Sequence, residues 1–274
     1  MPDVPAVVVT GAASGIGAAC CARLRAAGTT VVGIDVQACD IVADLGTPDG
    51  RRAAVTAVTD TCTGGLRGLV TCAGLAGGPS RAGSLLASVN YFGTVELLRD
   101  LRPLLGPGAG AVAISSNSTT VQPGIPDELV QAFLDHDEAR ARAMADDVGS
   151  MTTYPASKLA VAHWVRREAT GADWAGAGLR LNAIAPGLID TPMTVAMRAE
   201  PETAPMLELF PVPIGRPGRP EEIAALVEFL LGPDGSFFCG SVLFCDGGSD
   251  ALLRTRDWPA AWDISLRALG QQLS

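Results

Sequence analysis

The 274-residue sequence contains a single lysine, Lys158; its other 19 basic side chains are all arginine. Tyrosine is almost as scarce, with Tyr91 and Tyr154 alone, and the two histidines are His136 and His163. Acidic residues outnumber basic ones 29 to 20, for a net charge of −9. A chain this short of positive charge lacks the clustered Lys and Arg that grip a phosphate backbone, so no nucleic-acid partner is expected. The polybasic segment that would hold anionic lipid is missing too. No apolar run approaches the roughly 18 residues of a membrane helix. The opening "MPDVPAVVVTGAASGIG" has no basic stretch before its apolar residues, so neither a membrane span nor a signal peptide is expected. The seven cysteines are odd in number and sit in apolar runs such as "LVTCAGL" and "VLFCDGG". Without Cys-x-x-Cys spacing they read as reduced thiols, which points to a cytoplasmic protein and to no metal site. His136 and His163 read as structural, and no Gly-x-Ser-x-Gly elbow supports serine-hydrolase chemistry.

What is present is a folding chain: 48% hydrophobic and 18% charged, long enough for one large core over residues 1–274. Short β-branched runs alternate with Ala- and Leu-rich stretches, the pattern of a parallel sheet covered by helices. Strands are expected at Ala6 to Thr10, Thr30 to Asp35, Asp40 to Leu45, Leu66 to Gly74, Ala111 to Ser116 and Leu179 to Gly187, with a last one in "SVLFCDGG". Helices are expected at Gly17 to Gly28, from Thr47-Pro48-Asp49, across "SLLASVNYFGTVELLRDLRPLL", after Tyr154 to about Thr170, and from Pro220 to Leu231. Residues 117–153 hold an acidic amphipathic helix with Leu129, Val130, Phe133, Leu134, Met144 and Val148 near one face. This reads as a surface insertion, or else as a lid or an element that shapes the oligomer. A tail over 249–274 carries Trp258 and Trp262 and is expected to dock on its own chain or to close a partner's site.

"TGAASGIG" follows a strand and opens a helix. Gly11, Gly15 and Gly17 lack Cβ atoms, so the backbone can turn tightly and admit a pyrophosphate to the helix N-terminus. The spacing is Gly-x-x-x-Gly-x-Gly, and on its own such a loop is weak evidence. Asp35 ends the second strand, 18 residues beyond Gly17. A carboxylate there accepts hydrogen bonds from an adenosine ribose and repels a 2′-phosphate, which favours NAD over NADP.

These motifs, with "CAG" (Cys72 to Gly74), Asn90, "ISS", "YPASK" and "NAIAPGLIDTP", fall in the order and approximate spacing of the short-chain dehydrogenase/reductase family. More narrowly, "DIVADLGTPDGRRA", "GLVTCAGL" and "SVNYFGTVELL" resemble the bacterial 3α-hydroxysteroid dehydrogenase/carbonyl reductase branch. The resemblance runs from about Val7 to Gly248. It implies an α/β fold: one Rossmann-like, doubly wound parallel sheet flanked by helices, with a helical insertion before the catalytic tyrosine.

The resemblance makes Tyr154 the acid/base, Ser116 the group that holds the reacting oxygen, and Asn90 the holder of a water that relays protons through Lys158. The residue chemistry agrees. Tyrosine's usual pKa of about 10 is too high for a proton shuttle at neutral pH, and an ammonium one helical turn away stabilises the phenolate. Lys158, a compact charge with three donors, also suits the nicotinamide ribose better than arginine's planar fork does. Because 37 residues stand between Ser116 and Tyr154, far more than usual for the family, Ser115, Ser118 and Thr119 remain alternatives to Ser116. Pro155 implies a helix that begins close to Tyr154, capped by Thr152 or Thr153.

By the same resemblance Ser14 and Ile16 join the glycine loop in holding the cofactor. Cys72, Ala73 and Gly74 line it, with Cys72 standing in place of a family asparagine. Asp44 and Leu45 flank the adenine, and Pro186, Gly187, Ile189 and Thr191 meet the nicotinamide. The expected reaction is NAD-dependent interconversion of a hydrophobic secondary alcohol (steroid, terpenoid or aryl) and its ketone. Residues 188–216 form the lid, where Met193, Met197 and Met206 supply adaptable apolar contacts. Epimerisation or dehydration on the same scaffold is the alternative, and a dinucleotide-sensing protein the non-enzymatic one. Relatives assemble as homo-oligomers through their long helices. The insertion obstructs that face, leaving a dimer through the last helix and strand, with a tetramer as the alternative.

Overall fold

Residues 4–258 are described by a computed structural model of the chain. Seven strands form one sheet: β1 (Ala6–Thr10), β2 (Val31–Asp35), β3 (Ile41–Val42), β4 (Leu66–Thr71), β5 (Leu105–Ile114), β6 (Arg180–Pro186) and β7 (Val242–Cys245). Their spatial order is β3-β2-β1-β4-β5-β6-β7, and every pair is parallel. β1 is buried along its whole length, as its unbroken apolar run requires of a central strand covered on both faces. The third strand is shorter than expected, because Asp44 leaves the ladder to accept the Gly46 N–H, and that turn leads directly into the next helix. β5 begins earlier than expected and ends before Ser115.

α1 (Gly15–Ala26) follows β1, and α2 (Pro48–Thr61) is capped by Thr47, whose hydroxyl accepts the Gly50 N–H. The long helix predicted after β4 is interrupted. α3 (Gly83–Leu86) runs into a π-helical turn, Ala87–Phe92, before α4 (Gly93–Leu101) resumes the ordinary pitch. The Gly93 N–H reaches back to the Ser88 carbonyl, and Asn90 lies inside this widened turn.

The insertion is three helices rather than one: α5 (Ser118–Val121), α6 (Asp127–Leu134) and α7 (Glu138–Val148). The break falls at His136, whose φ of 60° no helix accommodates, and Asp137 caps α7 by accepting the Arg140 N–H. Leu129 and Phe133 are fully buried and Val130 nearly so, while Val148 lies at the surface. These helices contribute to the core, with Phe133 stacked on Tyr91 and Phe92, so the insertion is not a mere surface appendage.

α8 (Ser150–Ala169) starts at Ser150, a full turn before Tyr154. Gly149, at φ +78°, turns the chain into it, and no side chain caps it; the Thr153 hydroxyl instead donates to the Gly149 and Ala145 carbonyls. α9 (Pro192–Ala199) and α10 (Ala204–Leu209) lie over the sheet's end, followed by α11 (Pro220–Leu231) and α12 (Ser249–Leu253). α1 and α11 pack on one face of the sheet, and α2, α4 and α8 on the other, giving two buried apolar layers. Trp258 is about half exposed. Trp262 and the remainder of the tail fall outside the described residues.

The chain enters the sheet at its centre and builds outward in both directions. The loops leaving β1 and β4 therefore diverge and open a crevice at their C-terminal ends. Among the described residues, no helix is long and apolar enough to cross a membrane.

Candidate active site

The glycine loop lines that crevice. Gly11 has φ +66°, and a Cβ added there would stand 2.8 Å from the Ala73 nitrogen; one on Gly17 would stand 2.1 Å from the Gly11 carbonyl oxygen. The bare backbone lets the loop fold flat against "CAG" and α1 start directly above it. The Ala73 N–H donates to the Thr10 hydroxyl at 3.0 Å, tying the ends of β1 and β4 together. Ser14 stands at the N-cap of α1 in extended conformation, and its side chain makes no capping bond. Asp35 is fixed beside the loop, since its carboxylate accepts the Ala13 and Gln37 N–H groups, both at 3.0 Å. Leu45 is buried while Asp44 is exposed. A Cβ-free cradle, an uncapped helix start and an adjoining carboxylate fit the pyrophosphate and adenosine ribose of a dinucleotide.

Ser116, Tyr154, Lys158 and Asn90 meet at the far end of the crevice. The backbone continues beyond β5 against β6, with the Ser115 N–H donating to Ile184 at 2.7 Å and the Asn117 N–H to Pro186 at 2.9 Å. That pairing divides the candidate hydroxyls. Ser115 turns away and donates to the Lys158 carbonyl, and Thr119 donates to the Ser116 carbonyl. The Ser116 side chain lies close enough to the Tyr154 phenol to lower its pKa, and its oxygen accepts the Ser118 N–H at 3.1 Å. Of the four candidates, the serine at the tyrosine is Ser116.

Burial pushes the Tyr154 phenol above its ordinary pKa, and the Ser116 side chain opposes the rise. The motif spacing leads one to expect that steadying role of the Lys158 ammonium. Here Lys158 is buried and its Nζ donates to the Ile114 carbonyl at 2.8 Å. Burial lowers the ammonium to about 8, partly offset by the nearby Cys72. The Cys72 thiol is itself raised well above its usual value by a hydrogen bond with Cys20 and by burial, against the pull of Lys158. Asn90 is committed to the chain after "CAG": its Oδ1 accepts the Leu75 N–H at 2.7 Å and its Nδ2 donates to the Leu75 carbonyl at 2.9 Å. A Cβ on Gly74 would lie 3.3 Å from Asn90 Oδ1 and 3.4 Å from Lys158 Nζ, so this glycine keeps the two polar groups in one space.

A cavity of about 260 Å³ opens above this cluster, walled by Leu75, Met151, Met193, Met197, Met206, Leu207 and Phe210. Ile16, Cys72, Gly74, Pro186, Gly187, Ile189 and Thr191 form its wall toward the glycine-loop crevice. Thr191 caps α9 by accepting the Thr194 N–H, and Thr194 donates to the Ile189 carbonyl at 2.5 Å. Ile189 bridges to Gly218 through the groups of its neighbours Leu188 and Asp190, which leaves its own N–H out of the pairing. The outer faces of α9 and α10 stay in solvent, with Leu209 84% exposed. Few buried contacts hold these two helices against the sheet's end.

Comparison with known proteins agrees with this geometry. The short chain dehydrogenase profile matches residues 5–125, and one described as enoyl-(acyl carrier protein) reductase matches residues 139–250. The chain is 39% identical to the 3-alpha-hydroxysteroid dehydrogenase/carbonyl reductase of Comamonas testosteroni, over 90% of this chain and 97% of that one. It belongs to the short-chain dehydrogenase family. The 3-alpha-hydroxysteroid dehydrogenase of Pseudomonas sp. B-0831, solved in complex with NADH, superposes with a TM-score of 0.88 at 46% identity, covering 92% of this chain and 99% of that one. The cis-4-hydroxycyclohexanecarboxylate dehydrogenase of Sinomonas cyclohexanicum is 32% identical over 89% of this chain and 96% of its own.

Some residues of this short-chain dehydrogenase escaped the sequence reading. Gln122 and Met151 enter the cavity from opposite ends of the insertion, and no local pattern pairs them. Arg51 is 2% exposed and binds Glu96 and Glu138, both at 2.5 Å, together with the Leu45 carbonyl at 3.2 Å. It thereby fastens α7 of the insertion to the turn that carries Asp44 and Leu45. An arginine on an exposed-looking helix gives no sign of that.

Proposed function

We propose that this short-chain dehydrogenase interconverts a hydrophobic secondary alcohol and its ketone, with NAD as cofactor. The observation that carries the reading is the juxtaposition of Ser116, Tyr154 and Lys158 at the base of a methionine-lined cavity beside the glycine-loop crevice. When bound, NAD supplies the acceptor or donor of the hydride. The glycine loop with Gly11, Ser14, Gly15, Ile16 and Gly17 would hold its pyrophosphate, and Asp35 its adenosine ribose. Asp44, Leu45, Cys72 and Ala73 would flank the adenine half, and Gly74, Pro186, Gly187, Ile189 and Thr191 the nicotinamide half. Asp35 already accepts two backbone N–H groups and presents negative charge where a 2′-phosphate would lie, which supports NAD over NADP.

For oxidation, Tyr154 takes the proton of the substrate hydroxyl while Ser116 donates to that oxygen. Ser118 assists by occupying one lone pair of Ser116, which directs the serine O–H toward the phenol and substrate. Lys158 lies one turn along α8 and carries the proton onward from Tyr154. Asn90 holds the Gly74–Leu75 backbone beside it, so the relay space keeps its shape. In reduction the same groups act in reverse. The apolar walls suit a steroid, terpenoid or aryl alcohol, and the hydroxysteroid dehydrogenase relatives support that class.

The insertion covers α3, the π-helical turn and α8, while β7 is an edge strand and Phe229 and Phe237 are exposed. The edge strand and exposed phenylalanines support a homodimer through α11 and β7; sedimentation as a tetramer would overturn that arrangement. The catalytic reading is tested by an NAD-coupled screen of hydrophobic secondary alcohols and their ketones. Stoichiometric NADH formation is expected from at least one alcohol class, and net isomerisation without NADH would overturn it.

A further inference from the structure

We infer that Ser118 recognises a second oxygen on the substrate, so that this enzyme prefers diols or hydroxyketones over alcohols with a single polar group. The inference rests on the alcohol–ketone reading above and narrows its substrate class.

Its basis is an account of the hydroxyl groups around the cavity. Ser115 is spent on the Lys158 carbonyl, Thr194 on the Ile189 carbonyl and Thr203 on the Met197 carbonyl. Ser116 faces Tyr154. Ser118 differs: its Oγ is buried and has no hydrogen-bond partner among the described residues. Two other buried side-chain oxygens share that condition, on Thr71 and Tyr91, but neither residue lines this cavity, whereas Ser118 does. A buried hydroxyl left unpaired is unfavourable, and natural proteins rarely keep one without a use. As it stands this Oγ is closed off from solvent, so meeting a polar group placed in the cavity takes a change of its χ1 rotamer.

Position supports the same conclusion. The Ser118 N–H bonds the Ser116 oxygen at 3.1 Å. Within one serine the nitrogen and Oγ are at most about 3.7 Å apart, so the two hydroxyl oxygens lie within about 7 Å of each other. A substrate whose reacting oxygen is on Ser116 can meet Ser118 with a second oxygen carried a few bonds away. The walls beyond are mainly methionine, leucine and phenylalanine, and the other polar side chain there, Gln122, already donates its amide N–H to the Met151 carbonyl. An oxygen placed against the methionine, leucine and phenylalanine walls would be desolvated without a partner, which favours substrates that set it at Ser118.

The test compares cyclohexanol with the 1,2-, 1,3- and 1,4-cyclohexanediols, using NAD and following NADH. Wild-type enzyme is expected to favour at least one diol isomer in kcat/KM. In Ser118→Ala that diol-to-alcohol ratio should fall about five- to tenfold, chiefly through KM, and Ser118→Thr should restore it. A ratio that moves less than twofold in Ser118→Ala overturns the role of Ser118 and leaves the alcohol–ketone reading standing. Failure of wild-type enzyme to form NADH from any of these alcohols, or from the hydrophobic panel above, overturns both.

Discussion

Gln122 donates through its side-chain amide to the carbonyl of Met151, 3.4 Å away across the insertion. That carbonyl is available because Pro155, four residues on, has no N–H to offer it. A proline at the sixth position of α8 is past the first turn, where its missing donor would cost nothing. A long hydrogen bond from Gln122 compensates weakly. Replacing Pro155 with alanine restores the helical bond and relieves the ring clash, worth about 3 kcal/mol, while the freer unfolded chain takes back up to about 1 kcal/mol. Pro155→Ala is therefore expected to raise the urea midpoint by the equivalent of about 2 kcal/mol at constant m-value. An unchanged or lower midpoint would show that the proline is accommodated without strain.

Tyr154→Phe removes the proton acceptor and keeps the ring. Turnover should fall by at least about a thousandfold, with NADH binding, followed by fluorescence, changed less than about threefold. Ser116→Ala should lower kcat comparably, whereas Ser115→Ala should act on stability, since Ser115 holds the α8 backbone at Lys158.

Much of this architecture was legible in the residues. Buried parallel strands announce themselves as unbroken apolar runs, and Pro220–Leu231 shows its start through proline and its face through leucine and isoleucine spacing. Local pattern is silent where tertiary contacts decide. Proline near Tyr154 suggested a helix start, but Gly149 with its positive φ sets that start one turn earlier. The π-helical turn around Asn90 carries no local signature, and the Asn90 side chain within it bonds Leu75, 15 residues back. Which of Ser115, Ser116, Ser118 and Thr119 lies at Tyr154 depends on which way each hydroxyl turns, and no local pattern encodes that. Arg51 was invisible because its partners lie 45 and 87 residues away.

Asp35 should control cofactor choice. Asp35→Ser removes the negative charge but keeps a small acceptor for the Ala13 N–H. The ratio of kcat/KM for NAD over NADP is expected to drop at least tenfold, through loss of NAD affinity and relief of phosphate repulsion. A ratio that stays fixed would remove Asp35 from the ribose site.

Arg51→Met deletes the cation between Glu96 and Glu138 and leaves two carboxylates facing one another. Losing one partner of a buried pair costs about 3–5 kcal/mol. Both glutamates retain some exposure, with side chains 24% and 21% accessible, so water can relieve part of it. A destabilisation of roughly 2–4 kcal/mol is expected, with hydrogen exchange rising first in α7. Since Arg51 also holds the Leu45 carbonyl, KM for NAD should rise more than kcat falls.

Lys158 makes stability depend on pH in a definite direction. Its pKa is about 8 in the folded protein against an ordinary 10.5, because burial disfavours the ammonium. Between those values the unfolded chain holds a proton that the folded chain has released, so unfolding takes up a proton and stability rises with pH. Below about 8 both states are protonated and the full burial penalty, about 3 kcal/mol, applies; above about 10.5 it is gone. The thiol of Cys21, raised to about 11 by burial, and the phenol of Tyr154 work the other way as pH rises, so the lysine must be isolated by difference. Urea denaturation of the wild-type protein and of Lys158→Met provides that difference. The stability of wild type relative to the variant should increase by about 2 kcal/mol between about pH 7.5 and 9.5. A flat difference would mean that Lys158 keeps its proton throughout, and that Cys72 and the Ile114 carbonyl stabilise its charge against burial.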